Sequence, residues 1–332
     1  MKSKNITSIL IITLLILVLG GLTGYYLIDK KMEAEKLSKL NGEPVTTTQT
    51  KEIKQEENKS KIVCIGDSLT LSKDGTKSYP EYLKELTHLE TETFGGNKLS
   101  SQDIAARLNA YSLYVNNVTI PASKTAVTIE IINNNGTVSS LLRDKGSSYN
   151  PVTIAGIKGT IKYNSDTKTY KFTRDKAGNE KVISKKTKIE INSYDFKDDD
   201  VVILFTGTYD PIGPYSIDNL VTFNQNIINK YKLKNYIVVS LTAKDQLEDI
   251  EATNKALKDA FGDQYLDFRS YILENGLSEA GITATDEDQA NLTDGNIPNS
   301  LRIDDINGNS KFNELLAQQL KKKMITLGYI YE

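Results

Sequence analysis

The chain has 332 residues, 39% hydrophobic and 25% charged, so it can form one sizeable domain with an extra module and is too apolar to be disordered throughout. Its 41 basic and 43 acidic residues leave a net charge of −2, and we therefore expect no nucleic-acid partner. With a single cysteine, Cys64, in an apolar run, the chain has neither a disulfide framework nor a thiolate metal site, and we predict no cofactor and no metal.

The sequence of the N-terminal region predicts a membrane anchor. Ile6 to Ile28 carry no charge and follow Lys2 and Lys4, and at about 1.5 Å per residue this run is long enough to cross a bilayer as a helix. We predict a cytoplasmic tip and signal anchor over residues 1–31, a polar flexible stalk over residues 32–60, and a body outside the cell. Cleavage of the anchor stays open, because small residues lie within the run.

From Lys61 onward, short apolar runs alternate with amphipathic ones, which predicts an α/β domain with a parallel sheet over residues 61–116 and 195–332. Gly276 to Asn299 is predicted to be a polar connection at the surface. The predicted elements are a strand at Ile62–Ile65, helices at Tyr79–Leu89 and Ser101–Tyr111, a strand at Val201–Phe205, a helix at Ile217–Tyr231, a strand at Tyr236–Leu241, a helix at Leu247–Phe261, a strand at Tyr265–Phe268 and a helix at Lys311–Leu327.

Residues 117–194 interrupt this alternation with short β-type runs separated by turn sequences such as Asn133-Asn134-Asn135-Gly136 and Asn164-Ser165-Asp166. An inserted all-β module is the simplest interpretation. Because both of its ends connect to elements near the carboxyl edge of the parallel sheet, we expect the module to project from that side.

A Gly-Asp-Ser turn follows the first predicted strand directly. Gly66, Asp67 and Ser68 would lift a serine hydroxyl to the carboxyl edge of the sheet, where open α/β folds place their sites. A structural role for these residues, with Gly66 kept for its backbone angles and Ser68 as a turn or cap residue, is the competing interpretation.

Four segments, in order, resemble the sequence blocks of the SGNH/GDSL serine hydrolases, over Ile62 to roughly Leu320. They are Gly66-Asp67-Ser68-Leu69, Phe94-Gly95-Gly96 with Ile104-Ala105-Ala106-Arg107, Val201 to Asp210, and Ser300 to Asn307. The resemblance implies a flavodoxin-like three-layer fold with ester hydrolysis as the usual reaction. It also implies Ser68 as the nucleophile and Asp304 as the residue that orients the base. Gly96 and Asp67 are implied to be oxyanion or binding residues.

Two departures from the family pattern bear on activity. Tyr209 stands where the family has its oxyanion asparagine, and Asn307 stands where it has the catalytic histidine. An amide can position a hydroxyl but has no basic nitrogen near neutral pH. The chain's one histidine, His88, is predicted about nine residues into a helix, over 10 Å from the end nearer the site, so we do not expect it to substitute.

Three hypotheses follow for function. The leading one is a membrane-anchored, extracellular SGNH-like protein that is inactive or impaired and binds a cell-envelope glycan or a protein partner. A second is an active esterase or deacylase acting on acylated cell-envelope carbohydrate. A third is a structural subunit of an envelope complex that docks through the β module. Fold analogy alone does not choose among them.

Overall fold

The computed structural model describes residues 60–143, 149–192, 194–211, 214–242 and 250–331. The predicted anchor over residues 1–31 and nearly all of the predicted stalk over residues 32–60 lie outside these residues. Within the described part of the chain, every helix is too short or too polar to cross a bilayer.

A five-stranded parallel sheet forms the centre of the α/β body, in the order β14-β13-β12-β1-β2. Counted along the chain, this order is 2-1-3-4-5, that of flavodoxin-like folds. Strands β1 and β12 are buried along their whole length, which explains their unbroken apolar sequences. The strands are β1 (Ile62–Gly66), β2 (Thr91–Gly95), β12 (Val201–Phe205), β13 (Asn235–Val239) and β14 (Tyr265–Leu266).

Helices cover both faces of this sheet, so the predicted α/β body with a parallel sheet is confirmed. Alternate residues of β1 point to opposite faces. Ile62 and Cys64 pack in one buried cluster with Phe312, while Val63 and Ile65 pack in the other. The helices are α1 (Tyr79–Thr87), α2 (Ser101–Arg107), α3 (Pro214–Tyr231), α4 (Ile250–Phe261), α5 (Phe268–Glu279), α6 (Asp286–Thr293) and α7 (Ser310–Thr326).

The predicted polar connection over Gly276–Asn299 is wrong, because α5 continues into this segment and α6 lies within it. Helix α6 has no apolar periodicity to reveal it. It begins at a reciprocal cap in which Thr285 and Asp288 bond to each other's backbone amides, and it buries the polar side chains of Asp288 and Asn291. Polar anchoring of this kind escapes a search for hydrophobic stripes.

The inserted segment forms antiparallel sheets that are separate from the parallel sheet. One has seven strands in the order β5-β9-β8-β7-β11-β3-β6, and the other pairs β10 with β4. The strands are β3 (Leu113–Val115), β4 (Val118–Ile120), β5 (Val127–Ile129), β6 (Ile131–Ile132), β7 (Val152–Ile154), β8 (Ile157–Asn164), β9 (Thr169–Arg174), β10 (Lys181–Ile183) and β11 (Thr187–Ile191).

This β module begins at Leu113, before the predicted boundary at residue 117. Strand β3 pairs antiparallel with β11, so the two ends of the module lie side by side where the chain leaves and rejoins the α/β body. Its core is a separate buried cluster that takes in only Ala106 from the helices of the α/β body, and Ile154, Ile161 and Phe172 are fully buried inside it. A three-residue strand gives too short a pattern to detect in the sequence.

The carboxylate of Asp288 joins α6 to Ser300, the first residue of the last sequence block. It accepts hydrogen bonds from the amide and hydroxyl of Thr285 at 3.1 and 2.9 Å, and from those of Ser300 at 2.9 and 2.7 Å. Burial acts to raise the pKa of Asp288, but these four donors outweigh it and lower the pKa to about 2.

We therefore expect Asp288 to make stability depend on pH. Because its pKa lies below the unfolded value of about 3.9, its contribution is fully present above pH ~4 and is lost as the pH falls toward ~2. Between those pH values, the unfolding free energy of the natural protein should fall by about 2 kcal/mol more than that of Asp288→Asn, as measured by urea denaturation. Asp286→Asn, an exposed change in the same turn, is the control, and equal acid curves for Asp288→Asn and the natural protein would contradict this role.

Candidate active site

Ser68 lies at the carboxyl edge of the parallel sheet, in a tight turn directly after β1. Gly66 permits this turn, since a Cβ there would come within 2.1 Å of the Thr70 hydroxyl and 2.4 Å of the Phe205 carbonyl oxygen. Residues 68–70 form a short 3₁₀ turn. Because Tyr209 follows β12, the two side chains come from adjacent strands at the point where the strand order reverses, the usual ligand site of such folds.

Asp67 supports the turn from below. Its side chain is fully buried, and Oδ1 accepts a hydrogen bond from the Leu69 amide at 3.0 Å. Burial raises the pKa of Asp67 to about 7, although the Leu69 amide acts in the opposite direction. These contacts give Asp67 a role in holding the turn beneath Ser68.

Ser68, Asn307 and Asp304 form a hydrogen-bonded chain in the order of a catalytic triad. The Ser68 hydroxyl donates to Asn307 Oδ1 at 3.2 Å, and Asn307 Nδ2 donates to the two carboxylate oxygens of Asp304 at 2.9 and 3.0 Å. A carboxylate only accepts, so Asp304 requires the NH₂ end of the amide and leaves the carbonyl end for Ser68. The Asn307 amide is therefore oriented with its acceptor toward Ser68.

The Asp304 carboxylate is held in its ionised form. Burial acts to raise its pKa, but an ion pair with Lys73 and hydrogen bonds from the amides of Asn307 and Ile306 at 2.7 and 2.9 Å hold the pKa well below its usual range. Lys73 was not identified from the sequence, because a lysine in a polar loop carries no pattern. Its ammonium donates to Oδ2 of Asp304.

Tyr209 reaches Ser68 from the opposite side. Its phenolic oxygen lies 2.7 Å from Ser68 Oγ, and since the Ser68 proton is directed at Asn307, the phenol is the donor. Burial raises the pKa of Tyr209 above its ordinary value, so the phenol keeps its proton near neutral pH. The Ser68 hydroxyl is thus held between a donor and an acceptor, neither of which is a base.

The second and third sequence blocks meet beside this site. Gly96 follows β2, whose last residue, Gly95, lies opposite Gly66 on β1, so Gly96 is at the same sheet edge as Ser68. Asp210, next to Tyr209, accepts hydrogen bonds from the amide of Ser101 at 2.6 Å and from its hydroxyl, and so ties the end of β12 to the start of α2. Burial raises the pKa of Asp210 to about 6.

His88 is far from Ser68. It caps the C-terminal end of α1 in a left-handed conformation with φ of 57° and is exposed. Helix α1 returns the chain from the carboxyl edge to the start of β2, so His88 lies near the opposite edge of the sheet, about 15 Å away for strands of five residues. The one imidazole of the chain is therefore not available to Ser68. In the described part of the chain, no group of three or more His, Cys, Asp or Glu side chains could hold a metal ion.

No family model matches this sequence, and no curated protein matches it significantly. Solved structures to which this chain is similar include G-D-S-L lipolytic proteins and acetylesterases. A lipolytic protein of the G-D-S-L family from Desulfitobacterium hafniense DCB-2 is 13% identical, with a TM-score of 0.39 over 80% of this chain and 99% of that protein.

A catalytic mutant of an acetylxylan esterase from Geobacillus stearothermophilus is 11% identical, with a TM-score of 0.35 over 80% of this chain and 94% of that protein. A peptidoglycan O-acetylesterase is 9% identical, with a TM-score of 0.32 over 81% of this chain and 91% of that protein. Each of these TM-scores is below 0.5, so these likenesses carry no argument about function.

The ion pair of Lys73 with Asp304 can be tested by titration. In Lys73→Met, we expect the pKa of the Asp304 carboxyl to rise, because removal of a neighbouring cation destabilises the charged form. Carbon-detected NMR of the carboxyl resonance measures this shift. Lys77→Met, which removes a nearby lysine that pairs with Glu85 instead, should leave Asp304 unchanged. An Asp304 titration that is the same with and without Lys73 would show that the ion pair does not act on this carboxylate.

Proposed function

We propose that this protein is an SGNH-type hydrolase-like protein whose serine site has lost its base, and that it binds a cell-envelope glycan or partner in place of hydrolysing esters. The observation that carries the proposal is the hydrogen bond from Ser68 to the carbonyl oxygen of Asn307. In the family reaction the group at this position removes the serine proton. An amide oxygen accepts a hydrogen bond but is not protonated near neutral pH, so Ser68 keeps its proton.

The cost of this replacement is large. In subtilisin, removal of the triad histidine alone lowers kcat by about a millionfold, and removal of an oxyanion-hole donor costs about a hundred- to a thousandfold. Tyr209 replaces that donor with a phenol that hydrogen-bonds the Ser68 hydroxyl itself. The Tyr209 phenol is therefore already hydrogen-bonded to the Ser68 hydroxyl before a substrate binds.

A second candidate is an active esterase in which Tyr209 serves as the base. The contact of 2.7 Å between the phenol and Ser68 Oγ favours this alternative. The charge state opposes it, because burial raises the pKa of Tyr209 and the nearby Lys73 is engaged with Asp304. A tyrosine base requires a phenolate, so this route needs the opposite shift in pKa.

Location and partners belong to the proposal as well. The apolar run over residues 6–28 supports a single-pass membrane anchor, and the lysines before it support an extracellular body. An anchored, extracellular protein meets cell-envelope glycans first, and acylated sugars are common substrates of the family that the motifs resemble. A binding role at the cell envelope is consistent with both features.

Ester hydrolysis tests the proposal directly. With 4-nitrophenyl acetate, we expect the natural protein to show no turnover above that of Ser68→Ala. The double variant Asn307→His/Tyr209→Asn should gain Ser68-dependent turnover, because Asp304 can orient the new imidazole and the asparagine can bind the oxyanion. The single variant Asn307→His should gain less, since one oxyanion donor would still be missing.

Two controls make the assay decisive. Asn307→Gln/Tyr209→Asn frees Ser68 from the phenol without adding a base, so it should stay inactive. Turnover by the natural protein that disappears in Ser68→Ala would overturn the proposal. If that turnover also disappeared in Tyr209→Phe, the result would establish the tyrosine-base alternative.

A further inference from the structure

The β module carries a charge opposite to that of the rest of the chain. Residues 113–192 contain 13 Lys and Arg against 6 Asp and Glu, whereas the remaining residues contain 28 against 37. The near-zero net charge of the chain therefore conceals a module of +7 attached to a remainder of −9. Such a separation of charge attracts an anionic partner to the module and repels it from the body.

A groove of about 740 Å³ lies in this module. Three basic side chains line it, Arg143, Lys168 and Lys186, together with one acidic side chain, Glu130. Lys168 and Lys186 are exposed, and no carboxylate among the described residues forms an ion pair with either of them. The Lys186 ammonium donates to the carbonyl and amide oxygens of Asn134 at 2.7 and 3.1 Å, which are neutral acceptors. Its charge stays available to an anionic ligand.

The groove is suited to a glycan more than to a nucleic acid. Its wall contains the amides of Asn116 and Asn117 and the hydroxyls of Ser140 and Thr169, which can bond to sugar hydroxyls. Single-stranded nucleic acids need free aromatic faces on which bases stack. The two aromatic side chains of the groove do not offer them, because Tyr170 is buried and Tyr163 packs against both Tyr170, at 4.9 Å, and the Arg143 guanidinium, at 5.1 Å.

The groove adjoins a second cavity, whose wall includes Tyr209. Ser140 and Arg143 also line a cleft of about 540 Å³ between the β module and helices α2 and α3, and Tyr209 lies in the wall of that cleft. A ligand in the groove could therefore extend along the module toward Tyr209. Two adjoining cavities fit a polymer better than a small molecule.

We propose that the groove of the β module binds an anionic glycan, a polymer whose phosphate or carboxylate groups pair with Arg143, Lys168 and Lys186. This proposal names the ligand class of the proposed function, but it does not depend on the loss of the base at Ser68. The acidic α/β body favours binding at the module, since it repels the same polymer.

Binding of the full chain in detergent to immobilised polymers tests the site. We expect retention by poly(glycerol phosphate) or by polygalacturonate, with the stronger of the two identifying phosphate or carboxylate as the recognised group. Neutral dextran should not retain the protein, and added NaCl should weaken binding because surface charges are screened. Equal retention by dextran, or stronger binding to single-stranded oligothymidine than to either anionic polymer, would overturn the proposal.

Matched variants locate the site. Lys168→Gln/Lys186→Gln removes two exposed charges from the groove and should weaken binding by about tenfold. Lys158→Gln/Lys181→Gln removes two exposed charges from the same module outside the groove and should change binding by less than about twofold. An equal loss in both variants, with thermal melting unchanged, would show that overall charge binds the polymer and that no site exists. The retention assay measures polymer binding and not ester turnover, so its outcome is separate from that of the esterase assay.

Discussion

The hydrogen bonds from the Asn307 amide to the Asp304 carboxylate determine the chemistry of the whole site. They fix the amide with its carbonyl oxygen toward Ser68, so the serine hydroxyl donates its proton to an acceptor that cannot keep it. The same carboxylate could orient an imidazole at position 307. The site therefore has the hydrogen-bonded geometry of a triad, with an amide at position 307 where a base would be needed to accept the serine proton.

The surrounding structure stabilises this arrangement. Lys73 and two backbone amides keep Asp304 ionised, and the phenol of Tyr209 donates to Ser68 from the other side. In the hydrogen-bonded series of side chains Asp304, Asn307, Ser68 and Tyr209, each donor thus faces an acceptor. A substrate that approached Ser68 would have to displace the Tyr209 hydrogen bond.

Much of the α/β fold and of the site around Ser68 could be predicted from the sequence, for physical reasons. Strands β1 and β12 are buried on both faces, so their apolar runs are unambiguous, and the glycine and serine that follow β1 mark the turn. Ser68, Asn307 and Asp304 were identified by their order in motifs, and the structure brings them together. What a pattern could not supply is the direction of each hydrogen bond, since this depends on contacts between residues that are distant in sequence.

The missed features share that cause. Helix α6 is anchored by buried polar side chains rather than by an apolar stripe, and Lys73 becomes part of the site only because its loop folds over Asp304. The charge of the β module is present in the sequence, but an overall value near zero hides it. The charge points to a ligand only once the structure shows that the module is separate from the parallel sheet and has its own groove.

Reaction of Ser68 with a fluorophosphonate measures its activation most directly, since such a probe requires a nucleophilic serine and no substrate recognition. Intact-mass spectrometry after incubation should show no adduct on the natural protein, under conditions that label Asn307→His/Tyr209→Asn at Ser68. A rapid, stoichiometric adduct on the natural protein that is absent in Ser68→Ala would contradict the account, because it would show that the serine is activated without a histidine.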